Sequence, residues 1–316
     1  MKPKSPQQLS NIFPTRLRSA LSPILADSPR LQEIRLRSGK PLILNYRSRE
    51  TFLTESGACT TEQAKALTVT EQEVQQTLEL AGTYSLYAYE DELRQGYLTL
   101  PGGHRLGVAG KVITEGESVR NIRHLSSLNL RISHQVKGCA DGVLPWLYGP
   151  EGPFHTLIIS PPRCGKTTLL RDLIRQISDG CLGLRGYTVG VVDERSEIGG
   201  SYQGIPQNDL GIRTDILDAC PKAEGMMMLV RSMAPEVLAV DELGRPEDVK
   251  AMETALYCGC RILATVHGSS REDLLAKPLF RSMMEDRVFE RLVILKAGGP
   301  PGVVERILDG KGRVLC

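Results

Sequence analysis

The sequence predicts an α/β protein: a mainly parallel sheet with crossover helices, preceded by a smaller α+β unit. Two observations predict it. Beyond residue 150, short apolar runs at residues 156–159, 187–192, 237–240 and 261–266 alternate with helical stretches. Such runs suit strands buried on both faces. Before residue 150 the pattern instead mixes polar–apolar alternation, Gly-rich turns and one capped helix. The segment Tyr148-Gly149-Pro150-Glu151-Gly152-Pro153 has linker composition. It divides the chain into residues 1–150 and 151–316.

In the first unit, Glu33-Ile34-Arg35-Leu36-Arg37 alternates as a half-buried strand does. Ser38-Gly39-Lys40-Pro41 supplies a turn and Leu42-Ile43-Leu44 the second arm of a hairpin. Thr70-Glu71-Gln72-Glu73 reads as a capping box, in which the Thr hydroxyl and Glu73 satisfy exposed N–H groups reciprocally. Val74, Leu78 and Ala81 follow at helical spacing. Strand-like stretches come next at residues 96–100, 105–113 and 128–133.

Composition excludes several classes. Hydrophobic residues make up 41% of 316, enough for a substantial core. No apolar run approaches the roughly 20 residues that span a bilayer, so any membrane contact is expected to be peripheral. The start is Pro-rich and polar, without the apolar region of a signal peptide. A cytoplasmic protein with reduced thiols is expected. The eight cysteines include no C-x-x-C pair, which argues against a structural zinc site. Net charge is only +2, but residues 1–50 hold ten Lys or Arg against three Asp or Glu. That basic edge could face phosphate, although a solvated surface explains it as well.

The chemistry starts at Ser160-Pro161-Pro162-Arg163-Cys164-Gly165-Lys166-Thr167-Thr168. An apolar strand precedes it and a helical pattern follows. This is the context of a phosphate loop, whose backbone N–H groups and helix N-terminus surround nucleotide phosphates. Lys166 would pair with the β and γ phosphates, and the Thr167 hydroxyl would ligate Mg²⁺. The strict pattern G-x-x-x-x-G-K-[ST] wants Gly where this chain has Ser160. Pro161 and Pro162 fix φ and stiffen the turn by another route.

Downstream, the run 237–240 ends in Asp241 and Glu242. Asp241 can hold Mg²⁺, and Glu242 can polarise an attacking water as a general base. Between the two motifs, another apolar run empties into Asp193 and Glu194. An inserted strand together with a Glu after the Mg²⁺-binding Asp marks the motor branch of P-loop proteins. His267 ends a further strand, where strand termini line up at the ligand crevice. Arg213 and Arg231 are candidate arginine fingers, which stabilise charge on a transferring phosphoryl group. Met226-Met227-Met228 reads as core filler, and Cys164 as loop filler, with redox control the alternative. Together these residues predict a P-loop motor-type ATPase domain (RecA/AAA-like) that uses ATP and Mg²⁺.

The phosphate-loop segment resembles the stage III sporulation protein AA family, which is similar to secretion ATPases. So do Val192-Asp193-Glu194-Arg195-Ser196-Glu197-Ile198, Ile34-Arg35-Leu36-Arg37-Ser38-Gly39-Lys40-Pro41 and Gly103-His104-Arg105-Leu106-Gly107-Val108-Ala109-Gly110. The resemblance runs from about residue 30 to the end. It implies a homo-oligomer, a hexameric ring, bound peripherally to membrane proteins of a sporulation channel complex on the mother cell side. It also implies that Asp193-Glu194 matches an acidic box, Glu242 the water-activating Glu and His267 a histidine box. Secretion ATPases often carry Gly at the position of Asp241, which leaves open which acid governs Mg²⁺. Two rivals remain. In a nucleic-acid-remodelling ATPase, Arg35, Arg37, Lys40, Arg47 and Arg49 would contact phosphates, but the patch lacks interleaved aromatics, so nucleic acid is not the expected partner. The other rival is a nucleotide-gated scaffold without turnover.

Overall fold

The computed structural model describes residues 9–82, 90–116, 118–298 and 301–316. It divides into two compact units, one ending at His134 and one beginning at Gln135.

The first unit holds a seven-stranded antiparallel sheet. Its order is β5 (Cys59–Thr60), β4 (Arg49–Leu53), β3 (Ile43–Tyr46), β1 (Leu31–Arg37), β9 (Ser118–Arg131), β8 (His104–Glu115) and β7 (Tyr97–Leu100). The predicted hairpin is β1–β3, with Ile34 opposite Leu44. Between its arms the two residues of β2 (Lys40–Pro41) pair with β6 (Thr68–Val69). The capping box forms: Thr70 accepts from the Glu73 N–H at 3.2 Å, and Glu73 accepts from the Thr70 N–H at 2.9 Å. The helix Glu71–Ala81 then lays buried Val74 and Leu78 against β1 and β9.

The second unit holds a seven-stranded sheet in the order β14-β13-β15-β16-β12-β17-β18. These are Thr214–Asp218, Val189–Asp193, Val237–Val240, Arg261–His267, Thr156–Ser160, Arg291–Leu295 and Val304–Asp309. All pairs are parallel except β17–β18. Strand alternation feeds two cores. Leu157, Ile159, Leu238 and Val240 face one, with the helices Lys222–Ser232 and Pro246–Tyr257. Ile158, Val191 and Ala239 face the other, with the helix Lys166–Asp179. A small ladder, β10 (Tyr148–Gly149) with β11 (Gly152–Pro153), sits in the stretch read as a linker.

The division falls at 134/135, earlier than the linker composition at 148–153 suggests. Ala140, Val143, Leu144 and Leu147 are buried in the core over the Lys166–Asp179 helix. The Asp172 carboxylate also accepts from the Ala140 N–H at 3.0 Å. Apolar burial thus ties residues 135–150 to the second unit. Of the three consecutive methionines, only Met226 is fully buried, and Met228 is 47% exposed. At 100° per residue, neighbours on a helix cannot share one face. No described helix is long and apolar enough to cross a membrane.

Candidate nucleotide-binding site

Parallel strands bring their carboxyl ends to one edge of the sheet. Ser160 pairs with His267, Val192 with Val240 and Asp193 with Asp218. The strand lying between the phosphate-loop strand β12 and the acid-bearing β15 is β16, which carries His267. β13, which intervenes in sequence and ends at Asp193, lies on the far side of β15. The inserted strand of the sheet is therefore the histidine strand.

The loop after β12 is built by two left-handed residues, Arg163 (φ 64°) and Gly165 (φ 89°). Ser160 is not among the positive-φ residues. It ends the strand fully buried, its hydroxyl on the Pro161 carbonyl at 2.7 Å and its own carbonyl accepting from the Gly268 N–H at 3.2 Å. Glycine is dispensable where no left-handed backbone is needed. Gly165 is not: an added Cβ would lie 2.3 Å from the Gly302 nitrogen. That nitrogen donates to the Cys164 carbonyl at 2.8 Å, so Gly302, just before β18, braces the loop. Cys164 itself is buried, as a filler would be, while Pro162 and Arg163 are exposed. The helix Lys166–Asp179 starts directly at Lys166, which puts its N-terminal N–H groups at the loop.

Five predicted side chains converge. The Lys166 ammonium donates to Glu242 Oε1 and lies 3.1 Å from His267 Nε2. His267 Nε2 is 3.0 Å from the same Glu242 oxygen. The two histidine contacts need opposite protonation of Nε2, so one is a hydrogen bond at a time. Thr167 Oγ1 donates to Asp241 Oδ2 at 2.6 Å. Arg195 adds a second cation, donating to Glu242 Oε2 at 3.1 Å. Burial pushes the Glu242 carboxyl up, but the Lys166 bond and charge, with His267 and Arg195, hold it below the ordinary glutamate value. Glu242 also sits at φ 57°, a conformation costly for a non-glycine residue and found mostly at functional sites. A cavity of about 330 Å³ opens beside it, bordered by Glu194, Arg195, Lys222, Arg245 and His267.

Thr167 and Asp241 fit a divalent cation. Two oxygens meet at a helix N-terminus, and a nucleotide's phosphates and water would complete an octahedral shell. The acidic pair at 193–194 separates in role. Asp193 is 2% exposed and accepts from the N–H groups of Glu197, Ile198 and Gly199 at 2.8–2.9 Å. Burial nevertheless raises its carboxyl to about 6. Asp193 therefore shapes the loop behind the site. Glu194 faces the cavity, bonded to Lys222 and 3.8 Å from Arg245.

The structure does not bring Arg213 or Arg231 to this site. Arg213 immediately precedes β14, at the opposite edge of the sheet, and donates to the Ser178 and Asp179 carbonyls at 2.8 and 3.2 Å. Arg231 lies exposed in the last turn of the helix that leads into β15, also toward that far edge. Sequence reasoning missed Arg195, Lys222, Arg245 and buried Arg171, which donates to the Ile198 and Glu197 carbonyls. Arg195 adjoins the acidic pair in sequence, whereas Lys222 and Arg245 become neighbours only through the sheet order. Of the basic amino-terminal residues, Arg35 pairs with Glu33 and Arg47 with Asp27, which weakens them as free phosphate contacts.

The sheet order, the phosphate loop and the acids at the neighbouring strand ends define a P-loop α/β protein with an ATPase-type fold. The ATPase DotB of Yersinia pseudotuberculosis superposes with a TM-score of 0.59 at 14% identity, over 95% of this chain and 80% of that one. The pilus retraction motor PilT with bound ADP gives 0.53 at 14% identity, over 91% and 81%. Residues 3–315 match the family described as sporulation stage III, protein AA. The stage III sporulation protein AA of Bacillus subtilis (strain 168) is 42% identical over 309 residues, covering 98% of this chain and 96% of that protein. The chain belongs to the stage III sporulation protein AA family.

Proposed function

We propose that this chain is the ATP-hydrolysing motor of a sporulation-associated, secretion-like membrane complex. The observation that carries the reading is the convergence of Lys166, Thr167, Asp241, Glu242 and His267 at one sheet edge around a helix N-terminus. Lys166 and the loop N–H groups would bind the β and γ phosphates. With phosphate on Lys166, Glu242 loses its strongest partner and is free to accept a proton from an attacking water. His267 would orient that water or the γ phosphate. Thr167 and Asp241 would hold Mg²⁺, which neutralises charge on the phosphate oxygens when bound. Glu194, bonded to Lys222, borders the cavity through which the water would enter.

A cation for the developing charge would come from a neighbouring copy in a homo-oligomeric, hexameric ring. A head-to-tail ring presents a different face of each subunit to its neighbour's site, so an arginine far from its own site can serve another. Arg231 suits this better than Arg213, whose guanidinium is committed to helix-end carbonyls. Motion of the ring would pass to membrane partners of a channel between mother cell and forespore, with the protein peripheral at the mother cell side. Titration with a fluorescent ATP analogue tests the site. Lys166→Ala should weaken binding at least tenfold, in line with loss of a charge-assisted contact. Equal affinity in both proteins would sink the assignment. Binding without turnover, with membrane partners present, would favour a nucleotide-gated scaffold.

A further inference from the structure

Thr265 lies on β16, two residues before His267, and is fully buried. The regular β15–β16 ladder ends with Val240 opposite Ala264. Past that point Thr265 bonds to each of residues 241, 242 and 243, beside the side-chain contact of His267 with Glu242. The Thr265 hydroxyl donates to Asp241 Oδ1 and accepts from the Glu242 N–H at 2.9 Å, and its carbonyl accepts from the Leu243 N–H at 2.9 Å. One oxygen thus ties both acids to the histidine strand. The Asp241 bond turns the carboxylate so that Oδ2 meets Thr167. The Glu242 bond holds a residue whose φ of 57° would otherwise relax.

We infer that Thr265 is a positioning residue for nucleotide hydrolysis, aiming the Asp241 carboxylate at the cation position and fixing the left-handed Glu242 backbone. This rests on the proposed nucleotide site. Thr265→Val keeps the β-branched shape and removes both hydroxyl bonds. In Thr265→Val, ADP affinity without Mg²⁺ should stay within about twofold of wild type. The gain in ADP affinity on adding Mg²⁺ should shrink about tenfold, raising KM for MgATP with it, and kcat should fall about tenfold or more. Thr265→Ser should restore both. If Thr265→Val does not fold, the pair Thr265→Ser and Thr265→Ala, which differ by the hydroxyl, carries the same comparison. Wild-type Mg²⁺ enhancement and kcat in the Val variant, or indistinguishable Ser and Ala variants, would overturn the inference. A wild-type chain that binds no ADP would instead overturn the nucleotide reading beneath it.

Discussion

Glu242 and Asp193 show how one sheet edge sets two acids apart. Glu242 is surrounded by Lys166, His267 and Arg195 and is held ionised. Asp193 is sealed behind the site, and burial raises it to about 6 despite three backbone donors. A raised carboxyl means that the folded chain keeps its proton longer than the unfolded one. Stability therefore falls as pH rises from the ordinary aspartate range near 4 to about 6, by up to about 3 kcal/mol, and then levels off. Asp193→Asn removes that component. Denaturant unfolding from pH 4 to 7 should show the variant gaining on wild type through this window. A stability difference constant with pH would contradict the assignment. Both acids were visible in the sequence as strand-end residues, but their division of labour was not, because it depends on which one the loop at 196–199 closes over.

The phosphate loop is an element braced from outside. Gly165 needs its left-handed conformation and has the Gly302 backbone against the place a side chain would take. Gly165→Ala should cost at least about 1 kcal/mol of stability and weaken nucleotide binding together, since strain and clash both act on the loop. Unchanged melting temperature and affinity would show that the brace is not needed. The loop itself was legible from its strand–loop–helix context and its Lys-Thr pair. The hairpin β1–β3, the capped helix and four of the parallel strands were legible from alternation, a capping box and apolar runs. Edge strand β14 was not, since its residues are half-exposed and form no apolar run. The brace was not legible either: contacts between residues 165 and 302 follow from sheet order, in which β17 lies beside β12.

At the scale of the molecule, the linker composition at 148–153 misled. A Pro/Gly-rich stretch marks a break in regular structure, but the apolar residues before it, Ala140 to Leu147, pack into the second unit's core. Residue type alone makes Arg213 and Arg231 candidate fingers. Strand direction places both at the far sheet edge, so neither reaches the site of its own chain, where Arg195, Lys222 and Arg245 border the cavity paired with Glu242 and Glu194. In the proposed ring an arginine of a neighbouring copy would complete the site, and turnover would then require the assembled state. The most direct measurement is phosphate release from MgATP by wild type and Glu242→Gln across a range of protein concentrations. Release should rise in specific rate with concentration in wild type and fall at least about a hundredfold in Glu242→Gln, which still binds ATP. Release in the variant equal to wild type, or none in wild type at any concentration, would contradict the proposed hydrolysis at this site.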